Sequence, residues 1–144
     1  MEAGIRRFLG ACPLIAGKTL HLDYLPGEPG SFSLAPSPGG SVLTEYMDGG
    51  QRRQEIYALG VRRYFGPDVD SQRENLRWFR DFDRWLREKN RRGELPELGE
   101  DALCLSLTAT DGGYVMEAGD GGMGRYQVEL RMVYFQAAPG GKEV

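Results

Sequence analysis

From Ser71 to Arg92 the chain carries apolar residues at helical spacing and nothing that would stop a helix. Leu76, Trp78, Phe79, Phe82, Trp85 and Leu86 form a wide apolar stripe of period 3.6. Ser71-Gln72-Arg73-Glu74 has the form of a capping box, in which the Ser hydroxyl and the Glu carboxylate each satisfy an orphan backbone N–H. Arg77–Asp81, Asp83–Arg87, Arg84–Glu88 and Glu88–Arg92 are opposite charges four apart, which support a solvated helical face. Gly93 and Pro96 supply the stop. An aromatic stripe of this width needs a broad apolar surface to lie on.

The remaining segments supply strands. A short first helix is expected from Ile5, Phe8, Leu9 and Cys12, with Pro13 and Gly17 ending it. Leu20, Leu22 and Tyr24 alternate with polar residues, as do Phe32 and Leu34. The clusters 26–30 and 36–40 read as turn and loop, because proline has no N–H to give to a sheet interior. Residues 41–65 read as a hairpin with arms Val42 to Met47 and Glu55 to Phe65 around Asp48-Gly49-Gly50, a turn whose glycines permit positive φ. Apolar residues on both faces of the second arm mark it as a central strand. After the long helix, Leu103, Leu105 and Leu107 alternate, Asp111-Gly112-Gly113 reads as a turn into Tyr114-Val115-Met116, and Tyr126 to Tyr134 gives the cleanest period-2 pattern. The expectation is a single α+β domain: a mainly antiparallel sheet, a short N-terminal helix, and one long helix packed on one face. The segment after about Ala138 reads as a tail.

Length and composition agree with one folded domain. The chain has 144 residues, 40% of them hydrophobic. Its 21 glycines and 8 prolines place it among turn-rich proteins, short of low complexity. The formal charge is −3, which lacks the positive excess on which nucleic-acid affinity usually rests. No apolar run is long enough to span a bilayer. The first residues lack the apolar core of a secretory signal. The expectation is a cytoplasmic chain with Cys12 and Cys104 as reduced thiols.

The sequence offers little to catalysis. His21 is the one histidine, and neither a ligand set nor a G-x-S-x-G sequence accompanies it. Residues 119–124 match G-x-G-x-x-G, but a strand rather than a helix is expected after them, so the motif's phosphate-binding mechanism is absent. Neither cysteine has C-x-x-C spacing. The case for an enzyme or a metal site therefore rests on nothing specific in the residues. Arginine stands out instead, at 15 of the 18 basic residues. Its planar fork favours bidentate interface contacts. The pairs Arg52-Arg53, Arg62-Arg63 and Arg91-Arg92 read either as interface contacts or as ordinary surface arginines, and Glu94, Glu97, Glu100 and Asp101 either as a solvated acidic surface or as the face for a basic partner; a subunit interface would set Arg52, Arg53, Arg62 and Arg63 against those acids.

Several blocks in order carry a resemblance. They are Cys12-Pro13-Leu14, Asp23-Tyr24-Leu25, Phe32-Ser33-Leu34, Tyr46-Met47-Asp48-Gly49, Gln51-Arg52-Arg53-Gln54 and Arg63-Tyr64-Phe65-Gly66. Glu74-Asn75-Leu76, Phe79, Trp85-Leu86, Asn90, the run Gly93 to Gly99, and Arg125-Tyr126-Gln127-Val128 through Gln136 complete the set. Over roughly residues 10–136 the chain resembles minor capsid and tail-completion proteins of long-tailed bacteriophages and prophages, in the branch related to tail terminators.

That resemblance implies a small α+β structural protein that forms a hexameric ring on the head-proximal end of the tail tube. The ring stops tube growth, joins the tube to the head through a head-completion or connector protein, and lets genomic DNA pass without specific binding. It has no cofactor, no catalytic site and no membrane contact. Its location is the host bacterial cytoplasm during assembly and the head–tail junction of the virion afterwards. The free subunit is expected to be largely monomeric in dilute solution. Loops 26–40, 48–53 and 119–124 are the expected partner-binding elements. A head–tail connector or stopper is the alternative within the same class. A small enzyme or ligand-binding protein with a pocket beneath the long helix is the alternative from another class.

Overall fold

A computed structural model describes residues 2–15, 20–22, 31–64, 69–118 and 123–138. Among the described residues two helices and five strands follow in the order α1 (Glu2–Gly10), β1 (Leu20–Leu22), β2 (Phe32–Glu45), β3 (Gln51–Tyr64), α2 (Val69–Arg92), β4 (Ala102–Ala118) and β5 (Met123–Gln136). The strands form one sheet of order β1-β2-β3-β5-β4. β1 runs parallel to β2, and the other pairings are antiparallel, so the sheet is mixed. The expected α+β class and its two helices are present.

Three expectations need correction. Phe32-Leu34 and the first hairpin arm are one strand, and Pro36 to Gly40 lie inside it. Among the described residues β1 pairs only with Phe32, Ser33 and Leu34, so beyond Leu34 the outer side of β2 is an edge. Among the described residues no outer strand lies there to need the missing N–H of a proline. The surplus residues form an irregularity between Ser37 and Ser41, where Gly39 takes a φ of 130° and a Cβ would press into the Ile56 side chain.

The second correction concerns Asp111-Gly112-Gly113, which is no turn. β4 runs through it, with register shifts on both sides, opposite an uninterrupted β5. The third concerns α2, which starts at Val69, so Ser71 lies within the first turn and not at a cap. Residues 23–30, 119–122 and 139–144, on which parts of the expected loops and tail fall, lie outside the described residues.

The hairpin turn itself is as expected. Tyr46 N–H donates to the Gly50 carbonyl, Gly50 N–H donates to Asp48 Oδ1 at 2.8 Å, and Gly49 has a φ of 90°. α2 also ends as expected. Gly93 N–H donates to the Asn90 carbonyl and Glu94 N–H to the Lys89 carbonyl, with Gly93 left-handed at φ 71°. This is a Schellman closure, which satisfies two of the last helical carbonyls.

Register decides where the core sits. Leu34, Leu59 and Val128 are successive cross-strand partners, as are Phe32, Val61 and Tyr126, and Tyr57 faces Leu130. All are buried, so one face of the sheet carries the core. α2 meets these residues through its rings: Trp78 stacks on Phe32 at 5.8 Å, and Phe79 approaches Tyr126 at 5.6 Å. Phe82 and Leu86 are buried with them, and α1 adds Ile5 and Leu9. Leu76, expected in the apolar stripe, is 53% exposed, and its neighbour Asn75 is buried instead, donating to the Tyr126 hydroxyl at 2.8 Å. On the other face of β3, Ile56 and Ala58 are half-buried.

Candidate interaction surfaces

The register sorts the expected contact residues into two groups. Gln51 pairs with Gln136, which pairs with Ala102, so the hairpin tip and the start of β4 share one end of the sheet. Arg52 is exposed there, in a row with Phe135 and Leu103. Arg53 is half-buried, and its guanidinium donates to Gln51 Oε1 at 2.9 Å. Arg62 and Arg63 lie at the opposite end, paired in register with Arg125 and Gly124. Arg62 is half-buried; the side chain of Arg63 lies outside the described residues. The two arginine pairs therefore do not form one patch.

The acidic group lies at the hairpin end. Glu97 bridges to Leu103, and the Asp101 carbonyl accepts from Ala137 N–H at 2.8 Å. β3 and β4 are separated by one strand, so the start of β4, into which the segment 94–101 leads, sits about 10 Å across the sheet from the start of β3. Glu97, Glu100 and Asp101 are exposed. Glu94 is engaged within the subunit, accepting from Lys89 Nζ at 2.7 Å, which holds its carboxyl below the usual range. Lys89 in turn lies 5.8 Å from the Trp85 ring. Gly4 of α1 packs so tightly on this segment that a Cβ would run into the Glu97 carbonyl.

The hairpin end is also apolar. Val42, Leu43, Tyr46 and Met47 are exposed, as are Leu103 and Leu105 nearby on β4. The Tyr46 and Phe135 rings meet at 5.9 Å. Exposed apolar residues grouped with charges are the mark of a contact surface.

One basic surface was not legible as a unit from the charge pairs. Arg73, Arg77, Arg80 and Arg84 follow one another at helical spacing, on the side of α2 opposite Phe79, Phe82 and Leu86. With Leu76 and Asp81 they line an open groove of about 600 Å³. Arg84 reaches Asp81 at 3.7 Å, not the expected Glu88. Glu88 is taken by Arg91 and Arg92, which hold its carboxyl below the usual range. Arg87 pairs with Asp83 at 2.9 Å. Among the described residues Arg73, Arg77 and Arg80 make no ion pair. Their spacing of four, three and four is the signal in the sequence.

Trp78 packs on Phe79 and Phe82 at 5.0 and 5.5 Å and on Phe32 of β2, so rings occupy the described part of the junction between α2 and the sheet. A groove of about 460 Å³ lies instead between Cys12, Pro13 and Leu14 on one side and Trp85 on the other. His21 is half-buried on β1. Among the described residues no three His, Cys, Asp or Glu side chains gather as a metal site. Burial pushes both thiols up, Cys104 to about 11, and both cysteines are free. No helix is long and apolar enough to cross a membrane among the described residues. The chain matches no family model, and no curated protein is significantly similar to it.

Proposed function

We propose that this chain is a structural virion protein of a long-tailed phage, a tail-completion protein of the tail-terminator kind. The observation that carries the reading is the ordered resemblance over residues 10–136, from Cys12-Pro13-Leu14 to Tyr134-Phe135-Gln136. The mixed α+β architecture and the apolar, charged hairpin end support it. In this reading α1 and α2 cover the face of the sheet that carries Leu34, Leu59 and Leu130. The end bearing Met47, Arg52 and Leu103 meets the tube or the head connector. The subunit works as one member of a ring, and its role is to present surfaces, without cofactor or catalysis. DNA passes through the ring, and the net charge of −3 suits a passage that does not hold it.

Native mass by light scattering over a concentration series, with and without the purified tube protein of the same phage or prophage, tests this. A six-subunit species, alone or with the tube, is the expected result. A strict monomer that ignores the tube overturns the terminator reading. Presence on heads and absence from free tails would instead select the connector alternative.

A further inference from the structure

We propose that the arginine face of α2 docks onto the 94–101 segment of a second copy of this chain, head to tail. The proposal deepens the ring-forming reading and rests on it for the closure of the contact into a ring. Three observations carry it. The groove along α2 presents four arginines and one aspartate around an exposed leucine, and its Arg73, Arg77 and Arg80 make no ion pair among the described residues. The segment 94–101 has four acidic residues and no basic one. It leads directly into the exposed Leu103 and Leu105, an apolar counterpart to Leu76. Each surface therefore offers the other both charge of opposite sign and an apolar contact.

A single subunit cannot bring the two together. α2 is a rigid rod, and from Arg80 to its last residue Arg92 it rises about 18 Å. The chain then continues in the same direction. Asn75 sits at the level of Tyr126, whose partner on β4 is Val115, and Asn90 sits at Leu107, so the helix runs toward the start of β4 at Ala102. Segment 94–101 lies beyond that end. A contact between the arginine face and this segment therefore joins one copy to the next, by translation or rotation. That is a heterologous contact, the class that generates rings when the rotation closes. The planar guanidinium forks suit carboxylates, and arginine keeps its charge at any relevant pH.

The test is sedimentation velocity at about 0.01 M salt, where charges act over about 30 Å, using full-length protein up to about 1 mM. The wild type associates, and added salt weakens the association. Arg77→Glu with Arg80→Glu, on an exposed face, weakens it at least about tenfold, and so does Glu97→Lys with Glu100→Lys. An equimolar mixture of the two variants recovers association, because each retains one native surface and the reversed surfaces match each other. Leu76→Ser weakens association with no change in net charge, which a diffuse attraction would not produce. Circular dichroism checks that each variant keeps its fold. A wild type that stays monomeric throughout overturns the proposal, as does association that ignores both charge reversals. In the latter case the ring reading survives with a different interface. If the contact behaves as described while the protein ignores the tail tube, the interface stands and the terminator reading fails.

Discussion

Asn90 on α2 pairs with the backbone of Leu107 on β4 as a strand residue would. Its Nδ2 donates to the Leu107 carbonyl at 2.7 Å, and its Oδ1 accepts from Leu107 N–H at 3.0 Å. The same Nδ2 also donates to the Leu86 carbonyl at 2.7 Å, inside the helix. One amide thus fastens the last turn of the long helix to the edge strand of the sheet. β4 is that edge, and the register shift between Cys104 and Ser106 lies just before the fastening point.

Asn90→Ala removes three hydrogen bonds and leaves the N–H and carbonyl of the fully buried Leu107 without this partner. The expected cost is about 2–4 kcal/mol, because desolvated polar groups without partners are penalised more than a hydrogen bond is rewarded. Urea unfolding measures it. Asn90→Asp keeps the size and one acceptor but turns the two donated bonds into carboxylate–carbonyl repulsion. Its loss is expected to be at least as large at pH 7 and to shrink on acidification, when the carboxyl can again donate.

Tyr126→Phe tests the second polar tie between α2 and the sheet. Asn75 is buried, and it loses the hydroxyl to which it donates at 2.8 Å. The ring contact with Phe79 persists, so the change removes the hydroxyl and keeps the ring. A loss of about 1–2 kcal/mol is expected in urea unfolding. In a double-mutant cycle with Asn75→Leu the two losses should fall short of additive, because both remove this bond.

Two glycines make contrasting predictions. Gly93 holds φ 71° at the end of α2, and a Cβ there would meet nothing within 4 Å. Gly93→Ala therefore carries a backbone cost alone, about 1 kcal/mol, and Gly93→Asn costs less, since asparagine tolerates the left-handed region. Gly4 has ordinary helical backbone, but a Cβ on it would run into the Glu97 carbonyl. Gly4→Ala should cost more than Gly93→Ala despite the better helix propensity of alanine, because α1 or the 94–101 segment has to move. Ranking the two Tm values checks this. The opposite order would mean that α1 does not sit against that segment.

The fate of two similar sequences shows what was legible before the structure and what was not. Asp48-Gly49-Gly50 and Asp111-Gly112-Gly113 read alike, and both were expected to turn the chain. The first does, because β2 and β3 on either side of it pair with each other. The second is carried straight along β5, with its surplus residues absorbed at register shifts. Local chemistry permits either outcome, and the length of the partner strand decides. The prolines at 36 and 38 argue the same point, since an exclusion from sheet interiors does not exclude an edge. α2, its Gly93 stop and β5 were legible because each has a long, clean period. The interaction surfaces were less so. The acidic run was visible as a run, whereas the arginine face of α2 was masked by pairing Arg77 with Asp81 and Arg84 with Glu88 and leaving Arg73 and Arg80 out of the count.

Alkaline pH should unfold the protein through its buried acids. Burial pushes Cys104 from 9.0 to about 11 and Tyr57 from 10.0 to about 12, the latter aided by the carboxylate of Glu55. In both cases the neutral form is favoured in the folded chain, so the unfolded chain releases its proton first. Their contributions to stability are complete below about pH 9, the unfolded thiol value. That of Cys104 is lost between pH 9 and 11, and that of Tyr57 between pH 10 and 12. Urea midpoints should be insensitive to these two groups from pH 7 to 9 and fall steadily above it, and Tyr57→Phe should flatten the upper part of the fall. The thiols give an independent reading. At pH 8 both Cys12 and Cys104 should react far more slowly with a disulfide reagent in the native protein than in urea, where two thiols titrate at once. Rapid native labelling of either one would show that its region opens locally, and a midpoint that rose above pH 9 would show that these groups are not held neutral by the fold.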